Sequence, residues 1–449
     1  MDAASRSTPG ETDAGPGIDL AALLASPRAE WRTRLMEIVP TAAGAGGSGA
    51  AGQAAMPGGR TAALERLAAI DPRAYARSRN HVEGAVSRLS PWIRHGVLSL
   101  AEVRDVALAR VERPEDAEKF VSELGWRDYW RRVQAALGDR IRTAIEPPAR
   151  TARRGPPLDA PPPDVLEART GMACIDAFVR RLHATGWLHN HERMWLASWL
   201  VHVRGVDWRA GADWFLAHLL DGDPASNHLS WQWVAGTFSA KPYLFNRENL
   251  ETYTSGRHCR GCPLLGRCDV EGSYEALDAR LFAPGAAARP PLRIRPAAPW
   301  GPAGGASRRP LVWLTLDSAA ATSPASAAHP DAPRLFVIDR QWLATERPAL
   351  GRLAFLCECL AEVPGLEVRV GDAATIVPAR AAALGCDAVA VADSPCPLVR
   401  RTAATVAAAL PVEVWPWPPF CDASRVDDLG RFSRYWQRVS RSALRPTAA

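Results

Sequence analysis

From residue 60 to about residue 282 the apolar positions recur every three or four residues, the spacing of helices that bury one face. The pattern breaks at Pro114, in the proline-rich run 147–163 and at Gly222, so an all-α region of several helices is predicted. Residues 284–309, rich in Pro, Ala and Gly, keep no period and read as a linker. Beyond it the period changes. Short apolar runs at 311–316, 335–338, 366–370 and 388–392 alternate with helical patterns such as LGRLAFLCECLAEV and VRRTAATVAAAL. Strands alternating with helices predict a doubly wound parallel α/β sheet, and its first strand is not followed by GxGxxG. Residues 1–60 read as a largely flexible extension with one short helix over 20–39, and residues 423–449 as a C-terminal tail. The chain thus divides into 1–60, 61–283, 284–309, 310–422 and 423–449.

Composition narrows the class. A chain of 449 residues with 47% apolar residues can build two or three cores without staples. It has no run of eighteen apolar residues, and MDAASRSTPGETDAGPG is no signal peptide, so a cytoplasmic protein without a membrane span is expected. Nine cysteines, an odd number in a large chain, argue for reduced thiols or metal ligands over a disulfide framework. The net charge of +6 is carried almost wholly by arginine, because only Lys119 and Lys241 are lysines. Arginine suits bidentate phosphate contacts, although a biased genome would produce the same composition.

Candidate chemistry concentrates in residues 186–233. Seven of the 17 tryptophans lie there, interleaved with Asn190, Arg193, Asp221, Asp223 and Asn227, polar groups that an aromatic core does not need. The mixture points to a buried planar ligand. Upstream, Ser87-Arg88-Leu89-Ser90-Pro91-Trp92 offers Ser90 as N-cap and Pro91 at the first helical position, a turn whose free N–H groups and hydroxyls suit a pyrophosphate. On the helix of ELGWRDYW, Glu123, Trp126, Arg127 and Trp130 share a face that presents a carboxylate, a stacking ring and a guanidinium. Taken singly, these motifs also fit an ordinary helix start and an amphipathic helix.

Their order is more specific. AVSRLSPWIRHG (85–96), ELGWRDYW (123–130), ATGWLHNHERM (184–194) and DGDPASNHLSWQW (221–233) resemble, in the same sequence, motifs of the photolyase/cryptochrome flavoprotein family. The later segments, from RPLVWLTLD to VEVWPWPPFCD, are similar to the Rossmann-like α/β antenna domain that normally precedes the helical FAD-binding domain in that family. Here it follows, so the resemblance implies a circular permutation.

The resemblance also implies roles. Tyr75, Ser87, Arg88, Leu89 and Ser90 would hold the phosphate side of FAD, with Val86 where a threonine is usual. Arg193, Asp221 and Asp223 would surround the isoalloxazine, and Asn227 would face its N5. Glu123, Trp126, Asn190 and Met194 would receive a pyrimidine dimer flipped from DNA, duplex or single-stranded, with His191 where an arginine is usual. Trp231 and Trp208 match the inner members of a tryptophan relay, while the outermost has no counterpart between Trp130 and Trp187. The implied activity is light-driven repair of cyclobutane dimers by a monomer. The alternative is a cryptochrome-like receptor that binds FAD without repair. A second, antenna chromophore is implied without its identity. Cys174, Cys259, Cys262 and Cys268 resemble the ligand set of the family's [4Fe–4S] branch, while zinc would use the same thiols and an idle thiol pair is the plain alternative.

Overall fold

The structure, a computed structural model, describes residues 16–26, 28–39, 56–285, 289–302 and 309–446. Two helices, α1 (Leu20–Ala25) and α2 (Arg28–Ile38), stand where the apolar spacing predicts one. Asp19 caps α1 by accepting the Ala22 N–H at 2.9 Å, and the helix stops at Ser26 in extended backbone. Ile18, Leu23, Trp31 and Leu35 are buried beside Leu353, Leu356 and Leu360 of the α/β part. The Ile18 N–H donates to Val368 and the Val370 N–H to Pro16, both at 3.0 Å, so residues 16–18 cover an edge of the sheet. Burial of those apolar side chains holds residues 16–26 and 28–39 against the α/β part. Residues 1–15 and 40–55 lie outside the described residues.

The helical part is built on α3 (Ser90–Arg94), α4 (Glu118–Leu137), α5 (Ala173–Thr185), α6 (Asn190–Ser198), α7 (Trp208–His218) and α8 (Pro224–Ala235). In α4 Phe120, Val121, Leu124, Tyr129, Trp130 and Val133 recur at helical spacing and are buried, which sets the face it turns inward. Helix α8 packs on both α4 and α7. One apolar cluster surrounds α4 and a second joins α5, α6 and α7.

Five parallel strands, β1 (Pro310–Leu314), β2 (Arg334–Asp339), β3 (Leu366–Gly371), β4 (Ala388–Ala392) and β5 (Val412–Trp415), lie in the order β3-β2-β1-β4-β5. Every residue of β1 and β4 is buried, as expected of strands covered on both faces. The four expected strands are present, and β5 adds a fifth from a run too short to stand out. Helix α9 (Leu350–Ala361) packs against α1 and α2. The C-terminal residues are no loose tail, because α10 (Phe432–Ala443) lies along α4. Linker residues also pack: Arg289 donates to the carbonyls of Pro147 and Gly236 at 3.2 and 3.1 Å, and buried Ile294 accepts from the Leu429 N–H at 2.7 Å.

Buried charges cross between the two parts. Arg94 of α3 pairs with Asp317, which follows β1 and also accepts from Ser394. Arg352 of α9, itself paired with Glu346 at 2.7 Å, donates to the carbonyls of Leu216 and Gly222, each at 2.7 Å.

Candidate functional site

The turn between α7 and α8 places the acidic groups. The Gly222 carbonyl accepts from Arg94 at 2.9 Å and from Arg352 at 2.7 Å, so guanidinium groups from both parts of the chain hold it. A Cβ at Gly222 would lie 2.8 Å from Arg352 Cζ, so this approach needs glycine. On one side of Gly222, buried Asp221 pairs with Arg193 at 3.0 Å. Its Oδ1 is buried without a hydrogen-bond partner, and the residue borders a cavity of about 290 Å³. Burial pushes the Asp221 carboxyl upward, but Arg193 and the Ser90 hydroxyl beside it, with Arg127 behind, hold it below the usual carboxylate range.

Asp223 does a different job. Its carboxylate pairs with Arg127 at 3.0 Å, accepts from the Ser226 hydroxyl at 2.9 Å and caps α8 through the Ala225 N–H at 3.1 Å. Those partners engage both of its carboxylate oxygens, and Asp223 is not among the residues that border the cavity. Asp223 thereby fixes the turn and Arg127. Burial raises its carboxyl pKa, but Arg127, Arg94 and Arg131 prevail and keep it low.

Tyr75, Ser87, Ser90, Glu123, Trp126, Asn190, Arg193, Met194, Asp221, Asn227 and Trp231 all border the one cavity, although they come from separate helices and turns. Asn227 donates its Nδ2 to the Ala212 carbonyl at 2.7 Å, which leaves Oδ1 as its acceptor. Asn190 Nδ2 lies 3.3 Å from the Met194 sulfur, one helical turn away. Glu123 is held by Arg79 and Lys119, each at 3.1 Å. Trp208 is buried outside the cavity, in the same apolar cluster as Trp231. His191 also stands outside it, its ring between Tyr253 and Trp195 at 4.9 and 5.3 Å. Burial, with Arg79 and His81, pushes the His191 pKa down to about 4, so it adds no charge near neutral pH.

A second chamber of about 390 Å³ shares Tyr75 and Ser87 with the first and is bordered by Arg66 and Arg88. Ser90 is the first residue of α3 and Leu89 precedes it without a side-chain cap, so the expected Ser90 N-cap is corrected by one position. Leu89 is buried and packs in the core. Arg88 adopts φ of +54°, a conformation that costs a non-glycine residue roughly 1–3 kcal/mol. Its guanidinium lies 4.6 Å over the Trp187 ring, which offsets part of that cost. From below, Arg66 donates to the Ser87 and Val86 carbonyls at 2.7 and 3.0 Å. Arg66 carries no sequence signal beyond its helical neighbours; only the folded loop reveals its work. The two chambers suit one bent ligand: its anionic middle would meet Arg66 and Arg88, and a donor on its planar ring would meet the unpartnered Asp221 oxygen.

Cys174, Cys259 and Cys268 share one apolar cluster, and Cys262 lies close enough to act electrostatically on Cys174. Burial raises the Cys174 thiol pKa to about 12, with the neighbouring thiols adding to the effect. Cys268 Sγ lies 3.8 Å from the Glu271 carboxylate. Among the described residues no three His, Cys, Asp or Glu side chains are arranged as metal ligands. The expected ligand set is therefore gathered in one region but not assembled. A further cavity of about 100 Å³ lies at the carboxyl ends of β1, β2 and β4, where open α/β sheets bind ligands.

Residues 120–259 match the model of the FAD binding domain of DNA photolyase. That stretch is similar to the FAD-binding domain of the photolyase/cryptochrome family. The matched stretch spans α5 to α8 and nearly all of α4, and of these α4, α6, α7 and α8 border the cavity. A deoxyribodipyrimidine photo-lyase from Streptomyces griseus is 42% identical over 159 residues, 34% of this chain and 32% of that protein. Cryptochrome DASH from Oryza sativa subsp. japonica is 34% identical over 190 residues, 40% of this chain and 32% of that one. The chain thus spans about a third of the length of these curated relatives. The crystal structure of a Synechocystis cryptochrome matches with a TM-score of 0.40 at 28% identity, over 46% of this chain and 45% of that one.

Proposed function

We propose that this protein repairs cyclobutane pyrimidine dimers in DNA in a light-driven reaction, with reduced FAD in the two chambers described above. The observation that carries the proposal is that one cavity is bordered by both sets of groups: the buried acceptors Asp221 and Asn227 and the less buried Trp126, Glu123 and Asn190. When bound, reduced FAD supplies the electron that, on excitation, opens the dimer's cyclobutane ring and then returns. The protein's own contribution is to place and orient. Asp221, kept ionised, accepts from a ring N–H, and Asn227 Oδ1 accepts from a second donor. Tyr75, Ser87, Ser90, Arg66 and Arg88 take the pyrophosphate. Trp126 stacks on the flipped lesion, and Asn190, Met194 and Glu123 complete its walls.

A second reading is a cryptochrome-like receptor that holds FAD and does not repair. It is favoured by Glu123, whose two ion pairs must be loosened before a lesion can take its carboxylate. Illumination of the FAD-loaded, reduced protein with a dimer-containing oligonucleotide decides between them. Repair restores the ultraviolet absorbance of the bases in the light and not in the dark; an unchanged spectrum with flavin in place leaves the receptor.

The order of the two parts is read as a permutation. It is supported by the order along the chain, in which the strands β1 to β5 follow the helices α3 to α8. Iron is assigned no step. The iron–sulfur reading of Cys174, Cys259, Cys262 and Cys268 rests on their spacing and common location. Protein prepared without air is expected to contain iron that Cys262→Ser loses; iron-free wild type ends that reading.

A further inference from the structure

We propose that Phe432, carried on the C-terminal helix α10, is a positioning residue that lies on the back of Trp126 and fixes that indole as the stacking wall of the cavity. This rests on the lesion-binding reading of the cavity and names a residue far outside the matched FAD-binding domain. The two rings are parallel, with centroids 3.7 Å apart and planes 13° from each other. No other neighbour of Trp126 meets it this way: Trp130 is tilted by 39° at 5.1 Å and Tyr129 stands edge-on at 5.9 Å. Trp126 is half-buried and borders the cavity, and Phe432 stacks on its ring. An indole with an unsupported back would rotate about its side-chain torsions, and each ligand would have to order it again.

Helix α10 is built to hold Phe432 at that distance. The Tyr435 hydroxyl, fully buried, donates to the Asp128 carboxylate on α4, which also pairs with Arg132 at 2.6 Å. Cys421 Sγ lies 3.3 Å from the same hydroxyl. The Tyr129 hydroxyl donates to the Leu429 carbonyl at 2.8 Å, just ahead of α10. Trp436 lies so close to Gly125 that a Cβ there would come within 2.5 Å of its ring. α10 therefore touches the residue before Trp126, the indole itself and the two residues that follow Arg127. Ordinary core packing would not need a parallel ring over a side chain that borders a cavity.

The test uses the full FAD-loaded chain and a short single-stranded oligonucleotide with one thymine dimer, against its undamaged twin. Phe432→Leu is expected to weaken dimer binding on the order of tenfold, within the range set by base–aromatic stacking. Flavin content, the unfolding midpoint and affinity for the undamaged strand should stay near wild type, and Phe432→Tyr should restore dimer binding. Gly125→Ala, which pushes Trp436 and α10 away from α4, should reproduce the loss without touching either ring, and it decides the matter if Phe432→Leu does not fold. Dimer affinity within twofold of wild type in Phe432→Leu, while Trp126→Ala loses it, overturns the inference and leaves the lesion-binding reading intact. A wild type that does not prefer the dimer strand overturns both.

Discussion

Asp317→Ala is expected to cost about 3–5 kcal/mol of folding stability, the range for removing one partner of a buried ion pair. Asp317 is 4% exposed and Arg94, its partner across the two parts of the chain, 2%. Burial works against the Arg94 charge, and Asp317, with Asp223 and Glu346, outweighs it and keeps the guanidinium charged. Without Asp317 that charge has no partner in contact, and Ser394 loses its acceptor. Arg94 also supports the Gly222 carbonyl, so the damage should spread to the Asp221 turn. Urea unfolding of the variant should show a lower midpoint at an unchanged slope, together with reduced flavin retention. A loss below about 1 kcal/mol would mean that the buried network adds little beyond the apolar contacts around it.

Asp221→Asn is expected to release most of the flavin on gel filtration, at least a tenfold loss of affinity, while the fold survives. The substitution removes the charge that pairs with Arg193 and leaves an amide where the cavity's unpartnered acceptor stood. An Asn227→Ala control should lose less, because it removes a neutral acceptor. The same carboxylates set an acid limit. Asp221 and Asp223 both have folded pKa values below the ordinary carboxyl value, so their stabilisation is complete above about pH 4 and is lost as pH falls through the lower folded values. Flavin release between pH 7 and 5 should therefore be flat and rise only below that range, with a shallower rise in Asp221→Asn. A variant that keeps its flavin through gel filtration would remove Asp221 from the site.

Much of this organisation is legible along the chain because the signals are local. Helical spacing in α4 and apolar runs at β1 to β4 follow from burial of one face or of both. The motif around Ser87 and the DGD turn carry enough polar residues out of place to mark a ligand site. What escapes is set by distance and by shared partners. Asp221 and Asp223 look equivalent in DGD, yet Arg127, Ser226 and the α8 cap consume one of them and leave the other facing the cavity. Arg352 reads as one more polar residue of an amphipathic helix, and only the packing of the α/β part shows it inside the turn at Gly222. Phe432 lies 306 residues after Trp126 in the numbering, and no periodicity connects them. Helix is legible at 20–38, and what escapes there is the surface it packs on. The apolar residues of α1 and α2 are ordinary until α9, on which they pack, is known.

The central claim is that flavin and lesion share one cavity, and titrating a dimer-containing oligonucleotide into the FAD-loaded protein in the dark tests it most directly. A lesion stacked on Trp126 displaces water beside the ring held by Asp221 and Asn227, so the flavin absorption bands should shift with the same midpoint as binding. The undamaged strand should cause no shift, and Trp126→Ala should abolish it. Tight, dimer-selective binding that leaves the flavin spectrum unchanged would place the lesion elsewhere and contradict the shared cavity.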